Sequence, residues 1–219
     1  MLCSQILENN YPSVSLTDTV SFVLQLMDEY DVQHMCVVAE DRCLGIIAKA
    51  DLLDADEIQT IQSLQAAILP FFAKTEEHFL TALKLISEHQ LSLLPVTDTQ
   101  QTLAGIVTAT SLMNQLSVFL GVEEQGAIIV LEMDKRHFSF GEISRLVETN
   151  DGYITQMNTT VSKETGMVMV TIKINKPEVS DIVATFQRYE YTVLYYFGEE
   201  QYANELQENY RHLVNYLNM

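Results

Sequence analysis

Three polar side chains stand where a ligand is commonly held, at or just after the end of an apolar run. Thr108 and Ser111 follow the run at residues 103–107, and Asp51 follows the similar run at residues 44–48. A hydroxyl at the start of a helix helps to hold an anion, since helix N-termini attract negative charge. A carboxylate accepts two hydrogen bonds from a vicinal diol. These residue types predict ligand binding, and their alternative role is to cap the helices that follow.

The two groups belong to one internal repeat. The sequence around Gly45, residues 35–53, returns in the same order around Gly105, residues 94–113. Each copy predicts a short lead helix, a strand, a helix, two strands joined by a tight turn, and a closing helix. Neither copy is long enough to bury both faces of its sheet. We therefore expect the two copies to pack around a pseudo-twofold axis and to leave clefts between them.

This series of elements, met twice, resembles tandem CBS domains, the Bateman module, over roughly the first 120 residues. A nucleotide-binding repeat of that family has the pattern Gly-h-x-Thr/Ser-x-x-Asp, whose hydroxyl holds a phosphate and whose carboxylate holds the ribose. The first copy has Asp51 but Ala48 in the hydroxyl position, with Lys49 beside it as a phosphate contact. The second copy has Thr108 but Ser111 in the carboxylate position. The resemblance implies an adenosyl ligand such as AMP, ADP, ATP or S-adenosylmethionine.

Two apolar residues and the local charge complete the predicted nucleotide site. Val14 and Phe72 follow the matched Tyr-Pro and Leu-Pro dipeptides and are expected to form the walls around a base, with ordinary core packing as the alternative. Charge favours the second copy for an anionic ligand, because Asp51 is followed by a run of acids and Thr108 is not. That run lacks the ligand order of a calcium loop and predicts a solvated helix face rather than a metal site; its members are Asp54, Asp56 and Glu57.

A different pattern begins after Gly121. Residues 126–133 form an apolar strand run, and Ser139 with Glu142 is a capping box at the start of a helix. The elements follow in the order βαββαβ, the ferredoxin-like split βαβ unit. This part resembles an ACT domain, the small regulatory module that commonly binds amino acids. The two modules in this order resemble CBS–ACT proteins of the acetoin-utilisation type.

The loop before Ser139 contains the basic triplet Lys135, Arg136 and His137. Together with the helix N-terminus, this triplet is a candidate site for an anion or an amino-acid carboxylate. An amino-acid-binding ACT domain has Asp-x-Pro-Gly in this loop, whereas Asp134 is followed here by neither Pro nor Gly. A solvated turn is the favoured interpretation.

The predicted fold class is α+β in four parts. We expect CBS repeats at residues 1–58 and 59–121, an ACT-like ferredoxin-fold domain at residues 122–198 and an amphipathic helix at residues 199–219. The apolar stripe of that helix has to be covered, either by its own domain or by a second subunit; it consists of Tyr202, Leu206, Tyr210, Leu213 and Leu217.

Composition excludes several classes of partner. The 12 Lys and Arg residues against 30 Asp and Glu residues give a net charge of −18, which repels nucleic acid and anionic membranes. The N-terminus lacks the features of a signal peptide, so a cytoplasmic location is expected. Three cysteines without metal-ligand spacing predict neither a disulfide framework nor a zinc site.

No catalytic residue, metal site or required cofactor is predicted, because the sequence has no metal-binding histidine spacing, nucleophile elbow or phosphate loop. We predict a non-enzymatic regulatory protein whose CBS pair senses an adenosyl ligand and whose ACT-like domain dimerises. The alternative is an assembly protein with degenerate pockets and a protein partner. A homodimer is expected in both cases.

Overall fold

The computed structural model describes residues 1–198, and the predicted tail helix at residues 199–219 lies outside the described residues. The chain divides into two compact units, of which the first is Met1–Ser117 and the second starts at Val118. Both units combine helices with sheets, which confirms the predicted mixed fold class. Among the described residues, no helix is both long and apolar enough to cross a membrane.

The first unit contains two three-stranded sheets, one for each repeat. In the first repeat a 3-10 turn at Cys3–Gln5 precedes β1 (Ser13–Ser15), α1 (Val20–Glu29), β2 (His34–Ala39), β3 (Arg42–Ala48) and α2 (Lys49–Leu53). In the second, a 3-10 turn at Ile61–Ala67 precedes β4 (Ala73–Lys74), α3 (Phe79–His89), β5 (Leu93–Thr97), β6 (Leu103–Thr108) and α4 (Ala109–Phe119). The predicted order of elements is therefore present in both copies.

The strand registers of the two sheets match residue for residue. Val37 pairs with Gly45 in the first sheet, and Val96 pairs with Gly105 in the second. Val14 of β1 lies beside Val37, which makes Val14 equivalent to the residue beside Val96. That residue is Ala73, so the predicted match of Val14 with Phe72 is wrong by one position. Matching the Tyr-Pro and Leu-Pro dipeptides gives the wrong match between β1 and β4, because the dipeptides lie outside these strands.

The lead segment of each repeat packs on the other repeat. Glu8 exchanges two backbone hydrogen bonds with Ile106 of β6, at 2.8 and 3.1 Å. Leu69 exchanges two with Ile46 of β3, at 2.9 and 2.8 Å. Gly45 permits this approach, because a Cβ atom there would lie 2.0 Å from the carbonyl oxygen of Leu69. The repeats are thus joined by an exchange of segments as well as by a shared core.

The core of the first unit is continuous across both repeats. Helices α1 and α3 bury one apolar face each, as their i, i+3 and i+4 spacing predicts. The hydroxyl of Thr19 caps α1 by accepting a hydrogen bond from the backbone N–H of Phe22 at 3.3 Å. The largest fully buried side chains of this core include Phe79, Met27, Met35, Ile46, Ile47, Leu93 and Leu94.

The second unit has a four-stranded antiparallel sheet and two helices. Its elements are β7 (Ala127–Met133), α5 (Phe140–Glu148), β8 (Ile154–Val161), β9 (Val168–Ile174), α6 (Ser180–Arg188) and β10 (Thr192–Phe197). The strand order is β10-β7-β9-β8, which is the ferredoxin-like arrangement expected of βαββαβ. Ser139 caps α5 as predicted, accepting a hydrogen bond from the Glu142 N–H at 3.3 Å. The ferredoxin-like fold predicted for this part is confirmed.

Candidate functional site

Thr108 and Ser111 lie together at the start of α4 and form a reciprocal cap. The hydroxyl of Thr108 accepts a hydrogen bond from the Ser111 N–H at 3.0 Å, and the hydroxyl of Ser111 accepts one from the Thr108 N–H at 3.0 Å. The two hydroxyl oxygens are 3.1 Å apart. Thr108 is buried and Ser111 is half-buried. The capping role that the sequence offered as an alternative is therefore present, and the single proton of the Thr108 hydroxyl has a second acceptor, closer than the Ser111 oxygen.

That acceptor is the carboxylate of Glu8. The Thr108 hydroxyl donates a hydrogen bond to Oε1 of Glu8 at 2.7 Å. Glu8 is half-buried and belongs to the exchanged lead segment, so it reaches the cluster from the other repeat. The site thus combines one carboxylate with two hydroxyls at a helix N-terminus. Glu8 was not predicted as a site residue, because nothing near it in sequence indicates that it meets Thr108.

This contact corrects the charge argument made from sequence. The second site was expected to favour an anion because no acidic run surrounds Thr108 in the chain. Glu8 places a negative charge directly on the hydroxyl that was predicted to hold a phosphate. A hydroxyl that already donates to a carboxylate is a poor phosphate ligand, whereas carboxylate oxygens are good acceptors for ribose hydroxyls.

The corresponding place in the first repeat has different chemistry. Ala48 starts α2 without a side-chain cap, and α2 has only 5 residues, so few peptide dipoles are aligned there. Lys49 does not face a free anion site, because its ammonium group forms an ion pair with Asp28 of α1. Asp51 is exposed in the first turn of α2. Leu69 takes the place that Glu8 has in the second repeat, since each pairs with the equivalent isoleucine.

His34 lies where the two repeats meet. Its Nδ1 atom accepts a hydrogen bond from the Ser92 N–H at 3.1 Å, which places the ring proton on Nε2. Burial lowers the pKa of His34, and the negative charge of Asp51 partly opposes that effect. At neutral pH the imidazole is therefore uncharged and hydrogen-bonded.

The two predicted apolar wall residues have different surroundings. Val14 is buried in the core of the first unit, where it packs like any other strand residue. Phe72 is half-buried, and the ammonium group of Lys74 lies 4.9 Å from the centre of its ring. Their role as walls around a base stays a prediction.

The basic triplet of the second unit borders a cavity of about 770 Å³. Arg136 and His137 line this cavity and Lys135 does not. The guanidinium group of Arg136 is bound by both carboxylate oxygens of Asp134 at 3.1 Å, which lowers the pKa of Asp134 to about 2. Because Asp134 neutralises Arg136, the cavity has little positive charge to offer a carboxylate. Three further acids also line it, namely Glu132, Glu142 and Glu190.

One polar pair in the same cavity escaped the sequence analysis. Tyr191 hydrogen-bonds Glu142, and burial together with this contact raises the pKa of Tyr191 to about 12. Within residues 1–198, His, Cys, Asp and Glu side chains form no group that could hold a metal ion.

Two sheets with matched registers, joined by exchanged lead segments and followed in the chain by a ferredoxin-like domain, define a tandem-repeat module. The CBS domain family model matches residues 3–57 and 70–118. A CBS domain pair/ACT domain protein from Thermotoga maritima is 30% identical to the chain, with a TM-score of 0.51. That match covers 55% of this chain and 99% of the other. The chain belongs to the CBS domain family.

Two further proteins are less similar to the chain. A putative acetoin utilization protein from Vibrio cholerae is 18% identical, with a TM-score of 0.47, over 57% of this chain and 96% of that one. Homoserine O-acetyltransferase from Methanosarcina acetivorans is 29% identical over 117 residues, which are 51% of this chain. The chain spans only 21% of the length of that curated relative, so the match carries no acetyltransferase activity over to it.

Proposed function

We propose that the chain is a non-enzymatic regulatory protein whose CBS pair binds an adenosyl ligand of the class of AMP, ADP, ATP and S-adenosylmethionine. Binding favours one arrangement of the two repeats, and this population shift is passed to the ACT-like domain or to a protein partner. The protein acts as a homodimer.

The observation that supports this proposal is the cluster of Glu8, Thr108 and Ser111. A carboxylate and two hydroxyls meet at the N-terminus of an 11-residue helix, where they offer both acceptors and donors. A ribose has two neighbouring hydroxyls that need such partners. The second repeat therefore has a suitable set of groups despite lacking an aspartate at position 111.

A second candidate function is an assembly protein with pockets that no longer bind a ligand. It is favoured because polar groups of the candidate sites already pair within the protein. Glu8 accepts the hydrogen bond of Thr108, and Asp28 forms an ion pair with Lys49. Amino-acid binding by the ACT-like loop has less support, because Asp134 already holds Arg136.

A thermal-shift panel tests the proposal. A ligand at about 100 times its dissociation constant adds about 2.7 kcal/mol to the folded state, or about 5–10 °C in the midpoint. Adenosine, AMP, ATP and S-adenosylmethionine are compared with guanosine, and with 2′-deoxyadenosine, which lacks one of the two ribose hydroxyls. We expect an adenosyl compound to raise the midpoint and 2′-deoxyadenosine to do so less. No shift with any adenosyl compound would favour the assembly protein.

Light scattering tests the homodimer. The expected mass is about twice the 24.9 kDa of the chain, and a mass near that of one chain at micromolar concentration would contradict it.

A further inference from the structure

Glu8 is held firmly beside Thr108, at the start of α4. Its backbone is fixed by both hydrogen bonds to Ile106, and its carboxylate is fixed by the Thr108 hydroxyl. The neighbouring residues Leu7 and Asn9 lie against Gly105, where a Cβ atom would come within 3.2 and 3.0 Å of their side chains. The carboxylate therefore has a defined position relative to α4.

The negative charge of Glu8 is not neutralised by a neighbouring cation. Within residues 1–198, the ion pairs are Lys49 with Asp28, Lys84 with Glu88 and Arg136 with Asp134, and none of them involves Glu8. Glu8 and Asp31 both act on Tyr11, whose pKa is raised by burial first and by these two charges next. A ligand that approaches the Thr108 hydroxyl thus meets the carboxylate of Glu8.

We propose that Glu8 determines the charge of the ligand that the second repeat accepts. Its carboxylate repels a phosphate at the Thr108 hydroxyl and accepts hydrogen bonds from an uncharged diol or attracts a cationic group. The selected class is the unphosphorylated adenosyl compound, neutral like adenosine or cationic like S-adenosylmethionine, and the adenine nucleotides are excluded. This inference rests on the proposed function and narrows the class of ligand to unphosphorylated adenosyl compounds.

The equivalent positions of the first repeat lack the contact that Glu8 makes with Thr108. Leu69 occupies the place of Glu8 there, and Ala48 occupies the place of Thr108. The charge-selecting contact is therefore specific to the second repeat, so a single substitution at Glu8 is sufficient to remove it.

Glu8→Gln is the direct test. Glutamine keeps an acceptor oxygen for the Thr108 hydroxyl but removes the negative charge, so the fold and the cap are expected to persist. Glu29→Gln is the matched control, because it removes one exposed carboxylate from α1 in the same unit. Adenosine, S-adenosylmethionine and AMP are titrated into the full chain and both variants by isothermal titration calorimetry.

The native protein is expected to bind adenosine and S-adenosylmethionine at least about tenfold more tightly than AMP. Glu8→Gln is expected to reduce that preference by at least about tenfold, chiefly through tighter binding of AMP, and Glu29→Gln to leave it unchanged. An unchanged preference in Glu8→Gln, or a native preference for AMP, would overturn the role of Glu8 and leave the proposed function standing. Absence of binding by all three compounds to every variant would overturn both.

Discussion

The hydroxyl of Thr108 donates a hydrogen bond of 2.7 Å to the carboxylate of Glu8, although the two residues are 100 positions apart. The contact joins the lead segment of one repeat to the closing helix of the other. It makes Thr108 both a structural residue, through its cap with Ser111, and a residue of the candidate site. Substitutions at Thr108 therefore have to be interpreted for both roles.

Thr108→Ala is expected to lower the free energy of unfolding by about 1–2 kcal/mol, because the first turn of α4 loses its cap and Glu8 loses a donor. Urea denaturation measures the change. Thr110→Ala is the control, since Thr110 is exposed on the same helix, and it is expected to change stability by less than about 0.5 kcal/mol. Equal effects of the two substitutions would contradict the capping role.

Gly45 and Gly105 occupy equivalent positions in the two repeats, but substitution by alanine is expected to destabilise the protein to different extents. A Cβ atom at Gly45 would lie 2.0 Å from a backbone oxygen, at a φ of +136°. At Gly105 it would meet the side-chain oxygen of Asn9 at 3.0 Å, which can move, and the Cβ atom of Leu7 at 3.2 Å, a much smaller overlap. We expect Gly45→Ala to destabilise the protein by more than about 3 kcal/mol and Gly105→Ala by less than about 1.5 kcal/mol in urea denaturation. Equal losses would show that the two lead segments are held equally tightly.

His34 gives the stability of the protein a dependence on pH. Burial lowers its pKa below the ordinary value of 6.5, so the unfolded chain takes up a proton more readily than the native protein. The stability that neutral His34 contributes is complete above pH 6.5 and is lost as the pH falls from there toward the native pKa.

Unfolding free energies at pH 7.5 and 5.5 test this dependence. His34→Asn keeps an acceptor for the Ser92 N–H but does not titrate, so it is expected to lose less stability between the two pH values than the native protein. Equal losses of stability in the variant and the native protein would show that the carboxylates alone make the protein sensitive to acid.

The cysteine thiols are expected to react slowly while the protein is folded. Cys3, Cys36 and Cys43 are all buried, so a reagent reaches none of them without local opening. The hydrogen bond between Cys36 and Cys43 raises the pKa of Cys36 and lowers that of Cys43, so burial is the reason for slow reaction that all three share. Ellman's reagent is expected to modify them more than about 100-fold more slowly in the native protein than in denaturant. Ser87→Cys places a thiol at an exposed position of α3 and should add one rapidly reacting group. Rapid reaction of a native thiol would indicate local opening of the sheet.

The elements and their order were predictable from sequence because they depend on local patterns. The repeat around Gly45 and Gly105 and the capping box at Ser139 are short-range signals, and the structure contains all of them. The contact of Glu8 with Thr108 was not predictable, because a single sequence does not show which distant segments pair in the folded protein. The one-position error at Phe72 has a related cause, since strand register is set by pairing rather than by nearby prolines.

The charge of the loop before α5 was not predictable from its own residues. The triplet at Lys135 was interpreted by its formal charge, whereas Asp134 neutralises Arg136 in the folded chain. Acids from distant elements, such as Glu190, then line the same cavity. Charge in a site is set by the residues that folding brings together, and neighbours in sequence supply only part of them.

The exchanged lead segments have a consequence for how the chain folds during synthesis. Residue 8 leaves the ribosome well before its partner strand β6 (Leu103–Thr108), so the pairing has to wait until that strand has been translated. Neither repeat is then an autonomous folding nucleus. Long-range pairing of this kind slows folding, and the early segment remains available to chaperones or to the same strand of another chain in the meantime.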